Sequence, residues 1–259
     1  YEEAVKELDL KSFIEYMIIK SWVGDADWPQ NNWVVVHSPT NNVPYYFYVW
    51  DSEGGVKDVY VQQDRLAAKW AQRYSPLYIH NAFMTNSEYR CQFGDAVQRL
   101  VVNADAVLST EGFAKRYAKK AEQVRPMVFA ESARWGAYRY EAGLGSTIYG
   151  MTQWDSVCEG ITNKFASSRK KYYIPQLKGY GLYPDVDAAQ CVMVDEDNTV
   201  ARLDVSAGVA YYTLDGTDPR QPYAEGEVTS TAVEYVPDSD ISCATGGVVR
   251  VRVLSEGQW

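Results

Sequence analysis

The tightest constraint on this chain is a pair of aromatic-rich apolar runs, Trp33-Val-Val-Val36 and Tyr45-Tyr-Phe-Tyr-Val-Trp50, set either side of Ser38-Pro-Thr-Asn-Asn42. Both runs are rich in β-branched and aromatic residues, and Pro and Asn cluster between them, so they predict an antiparallel β-hairpin. Asn32 and Asp51 stand at its two open ends, and closing the hairpin brings them together. Asp27 lies just upstream in Asp27-Trp-Pro-Gln-Asn-Asn32, and Glu53 just downstream in Trp50-Asp51-Ser-Glu53. An amide and carboxylates gathered at one end of a hairpin are what a shared divalent cation needs.

The order Asp27, Asn32, hairpin, Asp51 resembles the layout of the phosphoryl-transfer residues in protein kinases. There the first Asp orients the substrate hydroxyl, the Asn helps hold metal, and the second Asp grips the Mg²⁺ that bridges the phosphates. The structural alternative stands beside it: Asp before Trp-Pro is a common loop residue, and Asp after an apolar strand often caps a turn.

Composition narrows the chemistry. A net charge of -9 and a pI near 4.8 argue against nucleic acid or an anionic membrane as partner. No apolar run reaches membrane-spanning length. Only His37 and His80 are present, one in the hairpin and one on an expected helix, so neither a zinc cluster nor a Ser-His-Asp triad is available. Each reads as a partly buried structural histidine. Chemistry that needs only carboxylates, amides and a metal survives, and both phosphoryl transfer and glycoside hydrolysis qualify. Cys91, Cys158, Cys191 and Cys243 show no CxxC spacing. Cys191 and Cys243 fall in the C-terminal segment, where a disulfide between them is feasible, while Cys91 and Cys158 sit on expected helices. An even count suits a secreted protein.

Residues 10–22 place Leu10, Phe13, Ile14, Met17, Ile18 and Trp22 on one helical face, with Asp9 as N-cap, and lead straight into the Asp27 loop. After Asp51 the pattern turns helical over residues 79–83, 88–102 with Asn86 as cap, 111–124 after Thr110, and 156–177. Glu131-Ser-Ala-Arg134-Trp135 is expected between two of these helices. Near Gly179-Tyr-Gly-Leu-Tyr-Pro184 the pattern changes again, and short strands are expected over residues 199–205, 209–214, 232–236 and 247–254. The expected fold is α+β, with a mostly helical domain over residues 1–180 that carries a β-hairpin, then a small all-β sandwich over 184–259.

Asp27-Trp-Pro-Gln-Asn-Asn-Trp33, Trp50-Asp51-Ser-Glu53 and Glu131-Ser-Ala-Arg-Trp-Gly136 together resemble the CotH-kinase-like family, named for the spore-coat protein H kinase. The likeness runs through most of residues 9–180. It implies an atypical kinase-like C-terminal lobe that uses Mg and ATP, with Asp27 as the catalytic acid and Asn32 and Asp51 as metal ligands. Many relatives carry Asp where this chain has Glu53, and Glu also ligates Mg²⁺. Glu131 and Arg134 are read either as a pair supporting the metal site or as a surface i,i+3 pair beside a packed Trp. Tyr211-Tyr-Thr-Leu-Asp-Gly-Thr-Asp-Pro-Arg220 resembles the signature of the Ig-like β-sandwich appended to chitobiases and many bacterial surface proteins, which serves as a spacer.

A kinase also needs a lobe that covers the phosphates and supplies a Lys. The chain starts at Tyr1, a helix and a half before Asp27, and its one Gly-rich stretch, Gly143-Leu-Gly145, follows no apolar strand. The chain is therefore expected to be the lower lobe alone. The resemblance implies an extracellular or cell-surface kinase acting on Ser or Thr of secreted, surface or coat proteins. The alternative is a structural or adhesive surface module that keeps the fold without turnover and has a neighbouring surface protein as its partner. A glycan-processing enzyme is suggested only by the appended sandwich.

Overall fold

A computed structural model describes residues 1–71, 73–243 and 247–259. The chain is α+β: a largely helical part is followed by small antiparallel sheets. It divides into two compact units, one of residues 1–85 and 95–179, the other of residues 86–94 and 180–259. A cut near residue 180 alone leaves out the 86–94 segment.

The first unit is organised around one buried helix. After a short turn, α1 (Ala4–Glu7), comes α2 (Leu10–Val23). Asp9 caps it by accepting from Ser12 N at 2.7 Å, and Gly24 ends it in the left-handed region at φ 68°. Its apolar face is wider than a single stripe. Phe13, Tyr16, Met17, Ile18 and Trp22 are all fully buried, each contributing about 1.5–3 kcal/mol of transfer free energy.

The hairpin forms as its sequence predicts. β1 (Trp33–Ser38) and β2 (Val43–Val49) pair antiparallel, with Trp33 opposite Val49 and Val35 opposite Phe47. The turn is a single 3₁₀ segment, Pro39–Asn41, closed by Asn42 at φ 51°. Phe47 is the anchor: its ring meets Phe13 at 5.0 Å and Tyr16 at 5.3 Å, and its N–H donates to Ser12 Oγ at 3.2 Å. His37 stacks on Tyr45 at 4.2 Å.

The segment after Asp51 is irregular, with 3₁₀ turns at Asp58–Tyr60 and Ala68–Trp70, before α3 (Pro76–Phe83). Burial pushes His80 on α3 down to about 3. α4 (Ser87–Val97) continues into a π turn, Gln98–Val102, and Asn86 Oδ1 accepts from Tyr89 N at 3.1 Å as its cap.

The expected break around residue 131 is overturned. α5 (Thr110–Glu141) is one helix of 32 residues that runs through Pro126. A mid-helix Pro removes a hydrogen bond and crowds the preceding turn. Here Glu122 and Pro126 are both exposed, so water reaches the freed carbonyl. Glu131 and Arg134 thus lie on an exposed helical surface. They form no ion pair among the described residues, and Arg134 lies 5.0 Å over the Trp135 ring. α6 (Met151–Glu159), a π turn at Gly160–Phe165 and α7 (Ala166–Gly179) form one continuous helical path that contains Pro175.

The second unit holds two antiparallel three-stranded sheets. β3 (Gln190–Met193), β4 (Val200–Asp204) and β7 (Ile241–Ser242) form one in the order β3-β4-β7. β5 (Val209–Thr213), β6 (Val233–Glu234) and β8 (Arg250–Leu254) form the other in the order β6-β5-β8. Ala201, Leu203, Ala210, Tyr235, Ile241 and Val253 make their common core. Glu88 belongs to this unit and is nearly fully buried; its carboxylate accepts from Arg220 Nη1 at 2.6 Å, Arg220 Nη2 at 3.0 Å and Tyr223 N at 2.9 Å. Burial alone raises a carboxyl, but these donors together with Gln92 overcome it and hold Glu88 down at about 2.

Cys191 and Cys243 are free thiols. Cys191 pairs with Leu203 on one side of β4, while Cys243 N donates to Thr199 O on the other at 2.7 Å. Strands two positions apart in a sheet are separated by about 9.6 Å. A disulfide tolerates a Cα separation of only about 7 Å, so the expected bridge is not formed.

Candidate functional site

The site is assembled by a lysine that the apolar pattern of α2 conceals. Lys20 has no exposed surface, and neither does its partner Asp25. Besides this ion pair, Lys20 Nζ donates to Trp50 O at 2.9 Å and Ser52 Oγ at 3.0 Å. One ammonium therefore joins the loop after α2 to the turn after β2. The Asp25 carboxylate extends the join, because its Oδ1 accepts from Asp27 N at 3.0 Å.

Backbone bonds finish the stitching. Ala26 N donates to Gly54 O at 3.3 Å, and Val56 N donates to Val23 O at 2.7 Å. The two segments approach so closely that a Cβ on Gly54 would lie 2.8 Å from Asp25 Oδ1, and one on Gly55 would lie 2.8 Å from Val23 O. Glycine is required at both positions. Trp28 is locked beneath the loop by its Nε1–H, which donates to Tyr16 OH at 2.8 Å.

Each residue named from the sequence can now be placed. Asp27 is exposed on the loop whose backbone Asp25 holds. Asn32 and Asp51 flank the first rung of the hairpin, Trp33 opposite Val49, and both have left-handed backbones at φ 60° and 49°. Such conformations are uncommon outside glycine and gather at functional sites. Asp51 and Glu53 are both exposed. The Asp51 carboxylate holds the Glu53 carboxyl above the usual range, and Asp25 adds to the effect. Glu131 and Arg134, out on α5, form no bond with these residues.

Among the described residues no group of three or more His, Cys, Asp or Glu side chains is arranged to hold a metal ion. The oxygen donors at hand are the Asp51 and Glu53 carboxylates, with the Asn32 amide at the neighbouring hairpin end. This set fits Mg²⁺, which keeps several waters and takes only one or two carboxylates. A cation there would also favour the charged form of Glu53, which its pairing with Asp51 disfavours.

The sequence model described as CotH kinase protein matches residues 1–173, which include the whole of this stitched loop pair. The chain belongs to the CotH kinase family. No curated protein and no solved structure matches the chain. The CotH match ends before the sheets of the second unit.

Lys20 and Asp25 escaped the sequence reading. Lys20 sits among Ile18, Ile19 and Trp22, where a lone cation in an apolar run is the signal of a buried, paired charge. Asp25, at a matching distance in the loop, is its natural partner.

Proposed function

We propose that the chain carries the phosphoryl-transfer site of a CotH-type protein kinase that moves the γ-phosphoryl of Mg·ATP to a Ser or Thr hydroxyl of a secreted or surface protein. The observation that carries this reading is the Lys20–Asp25 network, which ties the Asp27 loop to the Asp51–Glu53 turn. A fold that only needed to be stable gains nothing from burying a charge pair, because desolvation offsets the attraction. Fixing two loops against each other is a use that justifies it.

Asp51 and Glu53 would hold the metal, with Asn32 beside them. Mg²⁺ neutralises charge developing on the phosphates when bound. Asp27, free and exposed, would orient the acceptor hydroxyl and take its proton as the oxygen–phosphorus bond forms and the bond to the leaving diphosphate breaks. The second unit is read as an Ig-like spacer, supported by its two small sheets around one core. Its place is at the cell surface, in line with the surface proteins that the Tyr211-to-Arg220 segment resembles.

A second reading, a non-catalytic surface module, is supported by the two small sheets of the second unit, which suit a spacer. Transfer of radiolabelled phosphate from Mg·ATP to a protein hydroxyl separates the two. Loss of transfer in Asp27→Asn supports the kinase; absence of any transfer by the wild type leaves the surface module.

A further inference from the structure

Two arginines of the first unit are buried, and the fold treats them differently. Arg169 spends its donors on carbonyls: Nε on Trp22 O, Nη1 on Val61 O, and Nη2 on Ser21 O and Gln63 O, all within 2.7–2.9 Å. That is a structural arginine, and it pins the 61–63 segment. Arg65, two residues further on, is 3% exposed, yet its Nε and Nη1 are enclosed with no hydrogen-bond partner among the described residues. An enclosed guanidinium with unused donors calls for a partner that supplies oxygen acceptors.

The side chain is held in place. Its guanidinium carbon lies 4.6 Å from the centre of the Trp70 ring. Asp64 shapes the turn by accepting from Leu66 N at 3.0 Å through Oδ1 and from Trp70 Nε1 at 2.9 Å through its carbonyl. The carboxylates that Arg65 senses are Asp25 and Asp27, and it forms an ion pair with neither among the described residues. Asp25 is already neutralised by Lys20, so an anion entering here does not meet its full charge.

We propose that Arg65, backed by Trp70, is an oxyanion-binding residue beside the Asp25–Asp27 loop, and that its ligand is a phosphoryl group at the acceptor side of the site. A planar guanidinium carrying unused donors matches phosphate oxygens in geometry and charge. The choice of phosphoryl as ligand rests on the phosphoryl-transfer reading; the orphaned donors do not.

The experiment titrates inorganic phosphate, O-phosphoserine and Mg·ATP separately into the 259-residue chain and into Arg65→Met and Arg65→Lys. It follows the thermal midpoint and the Arg65 Nε–H resonance. Phosphate or phosphoserine is expected to raise the wild-type midpoint and shift that resonance. Arg65→Met should melt no lower than wild type without anion, yet bind it at least about tenfold more weakly, with Arg65→Lys in between. A response to Mg·ATP alone would move the ligand from the acceptor to the nucleotide and overturn the acceptor-side assignment. Equal affinity in wild type and Arg65→Met, or no anion response in wild type, overturns the proposal altogether. So does a large loss of midpoint in both variants without anion, which marks a structural arginine. Anion binding without any transferase activity keeps Arg65 and removes the kinase reading; activity with an unaltered Arg65→Met does the reverse.

Discussion

Lys20 and Asp25 form an ion pair in which neither side chain has any exposed surface, and the same ammonium bonds Trp50 O and Ser52 Oγ. The pair ties together a helix end, the Asp27 loop and the turn after the hairpin. Its energetic signature is asymmetric, because a buried charge is tolerable with its partner and costly without it.

Lys20→Met should therefore destabilise the first unit by about 3–5 kcal/mol, since it strands Asp25 in the interior. The double variant Lys20→Met/Asp25→Leu should recover much of that loss while the Asp27 loop loosens. Urea denaturation of the single and double variants is the measurement. A single variant within about 0.5 kcal/mol of wild type, the range of ordinary surface changes, would show that the pair does not hold the loop.

Glu53 supplies a titration test. Its folded carboxyl is raised by Asp51, so the stability tied to this group is present at low pH and is lost as pH rises through its folded value. Above that value the two carboxylates repel. Carboxyl carbon NMR should find Glu53 titrating above the usual Glu range, and Asp51→Asn should bring it back. Added Mg²⁺ should lower it as well, because a cation favours the charged form. A Glu53 titration unmoved by both changes would separate it from Asp51 and from any metal.

The sequence made much of this site legible, and the reasons for success and failure are physical. Residues 33–50 carry two runs of β-branched and aromatic residues around a Pro/Asn turn, so the hairpin could be read directly. The 10–22 helix was equally plain from Asp9 and its apolar spacing. α5 was cut short because Pro126 normally ends a helix, and no local rule says that water will serve the freed carbonyl. β3 and β7, of four and two residues, are too short to show alternation. Arg65 was invisible because its burial is a property of packing and leaves no trace in residue order.

The second unit should respond to acid through Glu88. Its folded value of about 2 lies below the unfolded one, so its contribution is present above the ordinary Glu range and disappears as pH falls toward about 2. From a reference of 4.5, the shift corresponds to about 3 kcal/mol. Glu88→Gln should flatten the acid limb of the unfolding curve of this unit and lower its stability at neutral pH. An acid limb unchanged by the substitution would show that the Arg220 pairing contributes nothing to it.

Cys191 and Cys243 offer a simpler check. Non-reducing peptide mapping should find both thiols alkylatable, and reductant should leave the thermal midpoint unchanged. A recovered Cys191–Cys243 peptide would require the β3-β4-β7 register to differ from the one described.

The most direct test of the site is calorimetric titration of Mg·ATP into wild type, Asp51→Asn and Asp27→Asn. If Asp51 with Glu53 anchors the metal and Asp27 acts only on the acceptor hydroxyl, wild type binds, Asp51→Asn loses binding, and Asp27→Asn binds nearly as wild type does. Equal binding by wild type and Asp51→Asn, or no binding by wild type, would contradict the account.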